Sequence, residues 1–276
     1  MEGTISNNFR HPLVELKNDC NFVANDTNLD LAGMLVTGPN ASGKSIYLSQ
    51  VALIVYMMHI GCFVPCTRAM ISVIASISTC LPTRHSSADT SGLSTFGLDL
   101  IQVSAALNSP SRSLILLDEF GQGTVAHDGV GLFVGVVHNI LSTNDRLLIA
   151  STHYHEIFTN DYFSCTNLQF GTMQVHVTQD FVFLYKLVSG FCSSSLAVEC
   201  AKRAGFPAKV VNRITAVVDD LRAGKPISRC FNPKRVHQRN IMRDICMAVD
   251  DSVDKMDEPD VLGRVLKDLE MFHTEI

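Results

Sequence analysis

The sequence predicts an α/β fold built on a mainly parallel sheet. Three observations carry that prediction. Met34 to Thr37, Ser113 to Leu117 and Arg146 to Thr152 are continuous apolar runs, the pattern of strands covered on both faces. Between them, Ser45 to Ile60, Phe96 to Leu107 and Val130 to Leu141 repeat apolar residues at helical spacing. Strands alternating with helices indicate an α/β parallel sheet.

The elements follow in chain order. Residues 1–32 are polar and read as irregular, with turn formers around Asn18 to Asn21 and Asn25 to Asn28. Met34 to Thr37 is the first strand and stops at Gly38-Pro39. The next helix carries Ile46, Leu48, Val51, Leu53, Ile54, Met57 and Met58. Ser86 to Ser94 is a Ser/Gly/Asp loop. The helix from Phe96 ends at Asn108 and Pro110, where proline removes a backbone donor. After Thr152 the pattern changes. Thr172 to Val188 reads as an antiparallel hairpin turning at Thr178 to Asp180. Two short helices follow Gly190, at Ser194 to Ala204 and Pro207 to Leu221, the second opened by a proline whose missing N–H is harmless there.

Composition excludes several classes. The chain has 276 residues, 46% hydrophobic and 18% charged, so it can bury a core and is not a disordered chain. A net charge of -5 excludes a uniformly basic nucleic-acid binder. That total conceals a basic stretch from Lys202 to Arg243 and an acidic one from Asp250 to Asp260. They read either as solvated faces with a linker or as a phosphate-contacting patch. The apolar run Val51 to Val64 is interrupted by His59 and Gly61 and is shorter than the ~20 residues of a membrane span, so no membrane association is expected. The N-terminus lacks an apolar signal core. Nine cysteines form no C-x-x-C pair; Cys62 and Cys66 have no partners at zinc spacing, and the set reads as reduced thiols of an intracellular protein.

The chemistry concentrates in three places. Gly38-Pro39-Asn40-Ala41-Ser42-Gly43-Lys44-Ser45 fits G-x-x-x-x-G-K-[ST] between a strand and a helix. Backbone N–H groups and the helix N-terminus receive phosphates there. Lys44 reaches the β- and γ-phosphates, and Ser45 places a hydroxyl on Mg²⁺. Leu114 to Glu119 is an apolar strand ending in two carboxylates. Strand alternation lets Asp118 hold the magnesium shell while Glu119 turns to an attacking water, which makes the expected chemistry hydrolysis. His153 ends the strand Leu147 to Thr152 at the edge where ligands bind such sheets, and reads as a γ-phosphate sensor. His127 and His155 read as surface residues.

In this order, these pieces resemble the C-terminal ATPase of the MutS family of DNA mismatch-binding proteins. The residues carrying the resemblance are Arg10-His11-Pro12, Phe22 to Asp26, the loop at 38–45, Gly61 to Pro65, Ser94-Thr95-Phe96, Asp118 to Thr124, Asp128-Gly129 and Ser151 to Tyr154. The resemblance implies a P-loop NTPase of ABC type, an ATPase using ATP and Mg²⁺ and working as a dimer with two composite sites. Ser94 would then be a signature serine offered to a partner's γ-phosphate. Phe22 matches the aromatic that stacks on adenine, and Asn40 the loop asparagine near the γ-phosphate. Tyr185 falls where relatives place a second stacking group; a core tyrosine is the other reading. The implied organisation is an ATPase domain at 1–190, a helix–turn–helix dimerisation element at 191–225 and a basic-then-acidic tail at 226–276.

Ser42, Phe120 and Asp99 look most like the meiotic crossover branch, the fifth eukaryotic homologue of the family. That implies a nuclear clamp on recombination intermediates, paired with a second MutS homologue, the fourth, and meeting DNA mainly through the assembled dimer. A mismatch-repair paralogue fragment and a non-catalytic interaction module are the alternatives. Gln122 departs from the basic residue usual in its loop, and Val125-Ala126 from the usual hydroxyl residues. The family's mismatch-reading, connector, lever and clamp domains are expected before the phosphate loop, which here lies about 37 residues from Met1.

Overall fold

The computed structural model describes residues 4–17, 22–29, 32–81, 94–159, 162–163, 167–177, 181–192, 196–227 and 243. They divide into two units, residues 1–205 and residues 206–276. In the first unit the order is β1 (Thr4–Phe9), α1 (Val14–Lys17), β2 (Asn25–Leu29), β3 (Gly33–Thr37), α2 (Lys44–His59), β4 (Arg68–Met70), β5 (Ser76–Cys80) and α3 (Thr95–Leu107). Then come β6 (Ser113–Asp118), α4 (Ala126–Ser142), β7 (Leu147–Ser151), α5 (Glu156–Thr159), β8 (Leu168–Val177), β9 (Phe181–Ser189) and α6 (Ala197–Arg203).

The six-stranded sheet runs β5-β6-β7-β3-β8-β9, parallel except for β9. Its central strands are buried on both faces because successive side chains point opposite ways. On one face Leu35, Ile115, Leu117, Leu148 and Ala150 pack with Val103 and Ala106 of α3 and Phe133, Val137 and Ile140 of α4. On the other, Met34, Val36, Leu114, Leu116 and Ile149 pack with Tyr47, Leu48, Val51 and Val55 of α2. Each Val, Leu, Ile, Phe or Met side chain among them, fully withdrawn from water, contributes about 1.5–3 kcal/mol. This double covering is what makes the strands legible as unbroken apolar runs.

The expectation of an irregular N-terminus is corrected. β1 pairs antiparallel with β2 and with β4 in a sheet of order β2-β1-β4. Strand β2 alternates buried and exposed positions, but its buried residues include Asn25 and Thr27 as well as Leu29. Hydrogen bonds satisfy them; Thr27 Oγ1 lies 3.0 Å from the Tyr47 hydroxyl. Strands β4 and β5 are likewise unmarked in the sequence pattern. β5 is an edge strand, SISTC, whose residues are mostly half-buried and polar. His59 holds the connection between them: its Nδ1–H donates to Val55 O (2.7 Å) and its Nε2 accepts the Ile74 amide (2.9 Å).

The expected helices and hairpin strands are present, with shifted ends. α4 begins four residues before Val130, and β8 begins at Leu168 rather than Thr172. The hairpin turn at 178–180 and the loop at 82–93 lie outside the described residues, as does most of 226–276 with its basic and acidic runs. In the second unit α7 (Ala208–Arg222) starts after Pro207, whose carbonyl accepts the Val210 and Val211 amides. Among the described residues no helix is long and apolar enough to cross a membrane.

Candidate functional site

The chain leaves β3 at Thr37 and reaches α2 through a loop with three left-handed residues, Gly38 (φ 142°), Ala41 (φ 63°) and Gly43 (φ 102°). Gly43 is the helix N-cap, and a Cβ there would be strained and 3.3 Å from the Tyr185 ring. Lys44 is 4% exposed. Its ammonium donates to the carbonyls of Gly38 (2.9 Å) and Pro39 (3.2 Å), which folds its side chain back over the loop. Burying a charged group is costly unless it is paired. The partner of Lys44 is Glu119, whose Oε1 is 3.3 Å away.

Asp118 ends β6 fully inside the sheet, and Glu119 turns out of it with φ 54°, so the two carboxylates point to different surroundings. Ser151 at the end of β7 sets both. Its hydroxyl donates to Asp118 Oδ1 and accepts the Glu119 amide (3.1 Å), while its carbonyl accepts the same amide at 3.2 Å. Asp118 Oδ2 is buried with no hydrogen-bond partner among the described residues. Glu119 Oε1 also accepts from His153 Nε2 (2.6 Å), and Oε2 accepts from the Gln122 amide (3.0 Å). Burial pushes the Glu119 carboxyl up. The His153 hydrogen bond and charge, with those of Lys44, outweigh it and hold the group down at about 2.

A cleft of about 480 Å³ opens over this loop. Phe22, Asn40, Ala41, Gly43, Lys44, Ser45, Glu119 and Tyr185 all border it. Tyr185 is 48% exposed, which rules out the core-tyrosine reading. Its backbone is left-handed (φ 53°), beside the irregular pairing of β8 with β9. Asn25 pins it there: Nδ2 donates to Tyr185 O (2.9 Å) and Oδ1 accepts the Leu187 amide (2.7 Å). Gly38, Pro39 and Ser42 are buried within the loop. Ser94 does not border the cleft of its own chain. It is exposed and caps α3 by accepting the Gly97 amide at 3.1 Å. His127 is exposed and His155 half-buried.

The arrangement fits a magnesium nucleotide. Mg²⁺ is held by one or two protein groups plus substrate phosphates rather than by a full protein cage. Asp118 offers a buried carboxylate oxygen without a partner, and Ser45 a hydroxyl at the start of α2. Among the described residues no cluster of three or more His, Cys, Asp or Glu is placed to hold a metal alone. Lys44, Asp118, Glu119 and His153 are legible in the sequence, whereas Ser151 and Asn25 carry no role there and Gln122 stands only as a departure. The available signal was a serine ending an otherwise apolar buried strand.

A parallel sheet with a phosphate loop between its central strand and a helix, and an acidic pair ending a nearby strand, defines the P-loop class of nucleotide-binding domains. Residues 34–222 match the family model of MutS domain V. The chain belongs to the MutS family. It is 35% identical over 223 residues to the DNA mismatch repair protein MutS of Caldanaerobacter subterraneus subsp. tengcongensis, covering 79% of this chain and 25% of that one. It is 38% identical over 218 residues to the Wolbachia pipientis wMel protein of the same name, covering 78% and 25%. It is 36% identical over 217 residues to the DNA mismatch repair protein Msh2 of Dictyostelium discoideum, covering 76% and 22%. The chain thus spans about a quarter of the length of the curated relatives it matches.

Proposed function

We propose that this chain is the ATP-binding and ATP-hydrolysing module of a MutS-type DNA clamp. The observation that supports it best is the convergence of Lys44, His153 and Glu119 beside the phosphate loop. In this reading the backbone of Gly38 to Ser45 receives the phosphates, with Asn40 and Lys44 at the γ end. Ser45 and Asp118 hold Mg²⁺, which when bound neutralises phosphate charge. Phe22 and Tyr185 stack on adenine. Arrival of the γ-phosphate draws Lys44 and His153 onto its oxygens and releases Glu119. Glu119 then takes a proton from a water as that water's oxygen bonds to the γ-phosphorus and the bond to ADP breaks.

Catalysis is completed in a dimer. Ser94, solvent-facing at the start of α3, is offered to the γ-phosphate of the partner's site. We assign the ATPase domain to 1–190, the dimerising helices to 191–225 and the charged tail to 226–276. The names of the relatives support a DNA-linked role, with DNA met mainly through the dimer. Ser42, Asp99 and Phe120 support the meiotic branch, and with it a nuclear setting and a second MutS homologue, the meiotic fourth, as partner.

Phosphate release measured with the full chain and that partner tests this reading. It is expected to require magnesium and to fall at least tenfold with Ser94→Ala, while ATP binding is retained. Turnover unchanged by Ser94→Ala would remove the composite site from the proposal.

A further inference from the structure

Gln50 lies on the buried face of α2, 1% exposed, two turns beyond the phosphate loop. Neither its amide nitrogen nor its amide oxygen has a hydrogen-bond partner among the described residues. A buried amide with both groups unpaired is costly, and such exceptions in a native fold call for a missing partner. Gln50 also borders the cleft that Phe22 and Tyr185 border. Apolar Val14, Val23, Ile46 and Met173 border the same cleft, together with polar Asn25, Ser45 and Tyr47. Few polar groups placed among apolar ones are what fix the orientation of a bound small molecule. Six residues of helix put Gln50 roughly 9 Å from Lys44 along the axis. A nucleotide's base lies at that kind of distance from its terminal phosphate.

We infer that Gln50 reads the edge of the adenine base and is a specificity-determining residue of this cleft. A glutamine amide sets one donor beside one acceptor, the complement of adenine N7 and its N6 amino group. Guanine shows two acceptors on that edge, O6 and N7, and leaves the amide oxygen facing another acceptor. The aromatic pair would supply stacking, which every base satisfies, and Gln50 the choice among bases. The inference rests on the reading of this cleft as a nucleotide site.

Calorimetric titration of the full chain with ATP, GTP and purine riboside triphosphate, which lacks the 6-amino group, tests it. Wild-type protein is expected to bind ATP about tenfold more tightly than the other two, as one buried hydrogen bond provides. In Gln50→Leu, ATP should weaken to their level while GTP and purine riboside triphosphate change less than about twofold. Gln50→Met, unbranched like glutamine, should give the same pattern. The thermal midpoint of both variants should hold or rise, because an unpaired buried amide has been removed. Equal binding of the three nucleotides by wild type, or equal weakening of all three by both variants, overturns the inference. A lowered midpoint with base preference intact overturns it too and makes Gln50 a packing residue. Lys44→Ala separates the two levels. If that variant binds all three as wild type does, the nucleotide site itself fails. If it weakens all three while the Gln50 variants keep the preference, only the base-edge role falls.

Discussion

Glu119→Gln should do two opposite things, and the structure sets the size of each. Glu119 is held by Lys44 at 3.3 Å, by His153 at 2.6 Å and by Gln122 at 3.0 Å. Its carboxyl sits at about 2 instead of 4.5, which corresponds to roughly 3 kcal/mol favouring the charged form. The side chain is 22% exposed, so solvent screening reduces this to about 1–2 kcal/mol. A γ-phosphate must displace Glu119 from Lys44 and His153. Neutral glutamine removes that internal competitor, and ATP should bind about 5–30-fold more tightly. The same change removes the general base, so turnover should fall about 100-fold or more. Equilibrium ATP titration and single-turnover phosphate release, each with magnesium, read the two effects separately. Turnover within threefold of wild type would show that Glu119 is not the base. ATP binding unchanged or weakened would show that the Lys44–Glu119–His153 cluster does not compete with phosphate.

Two further outcomes follow from packing and titration. Gly129→Ala would place a methyl group 2.5 Å from Gly121 O and 2.2 Å from the Tyr154 hydroxyl, so α4 must part from the 119–124 loop. Chemical denaturation should show a loss of about 1–3 kcal/mol. Unfolding unchanged within about 0.5 kcal/mol would contradict that contact. His11 accepts the Leu13 and Val14 amides at Nδ1 and meets Ser49 through Nε2, and burial lowers it from its usual 6.5. Its folded value being below its unfolded one, the unfolded chain binds more protons just under pH 6.5. His11's contribution is therefore complete above 6.5 and is lost as pH falls from there towards the lowered value. The difference in denaturation midpoint between wild type and His11→Gln should shrink between pH 7.5 and pH 5; a gap that widens refutes the assignment.

How far the chain could be read from sequence depended on what hides each residue from water. Strands β3, β6 and β7 are covered on both faces by apolar side chains, and hydropathy finds them. β2 is covered on one face only, and two of its three buried positions are Asn25 and Thr27, satisfied by hydrogen bonds to β9 and Tyr47 that link residues far apart in sequence. No local pattern encodes those partners. β4 and β5 are short and half-exposed, so neither alternation nor apolarity marks them. In the site, the loop is legible because phosphate binding dictates its glycines and its lysine locally. Ser151 and Asn25 are not, because each acts on groups brought beside it only by the fold.

The backbone carries an independent mark of the same site. Left-handed residues outside glycine are uncommon, and holding one costs on the order of 1–3 kcal/mol when the surrounding structure imposes it. Among the described residues seven outside glycine have positive φ; Asn8, Arg112, Asn144 and Leu196 do not border the cleft, while Ala41, Glu119 and Tyr185 do. They come from three separate connections, after β3, after β6 and within β9, so no single irregular loop accounts for them. Each is held by contacts that do not depend on its own side chain: the Ser42 amide on the Pro39 carbonyl around Ala41, the Ser151 carbonyl and hydroxyl on the Glu119 amide, and the Asn25 amide on the Tyr185 carbonyl. The relaxed alternative for Glu119 would continue β6 and turn its side chain to the sheet face opposite that of Asp118. The turn out of β6 is thus what places the carboxylate in the cleft, and the cost is met by the buried β6–β7 pairing behind it.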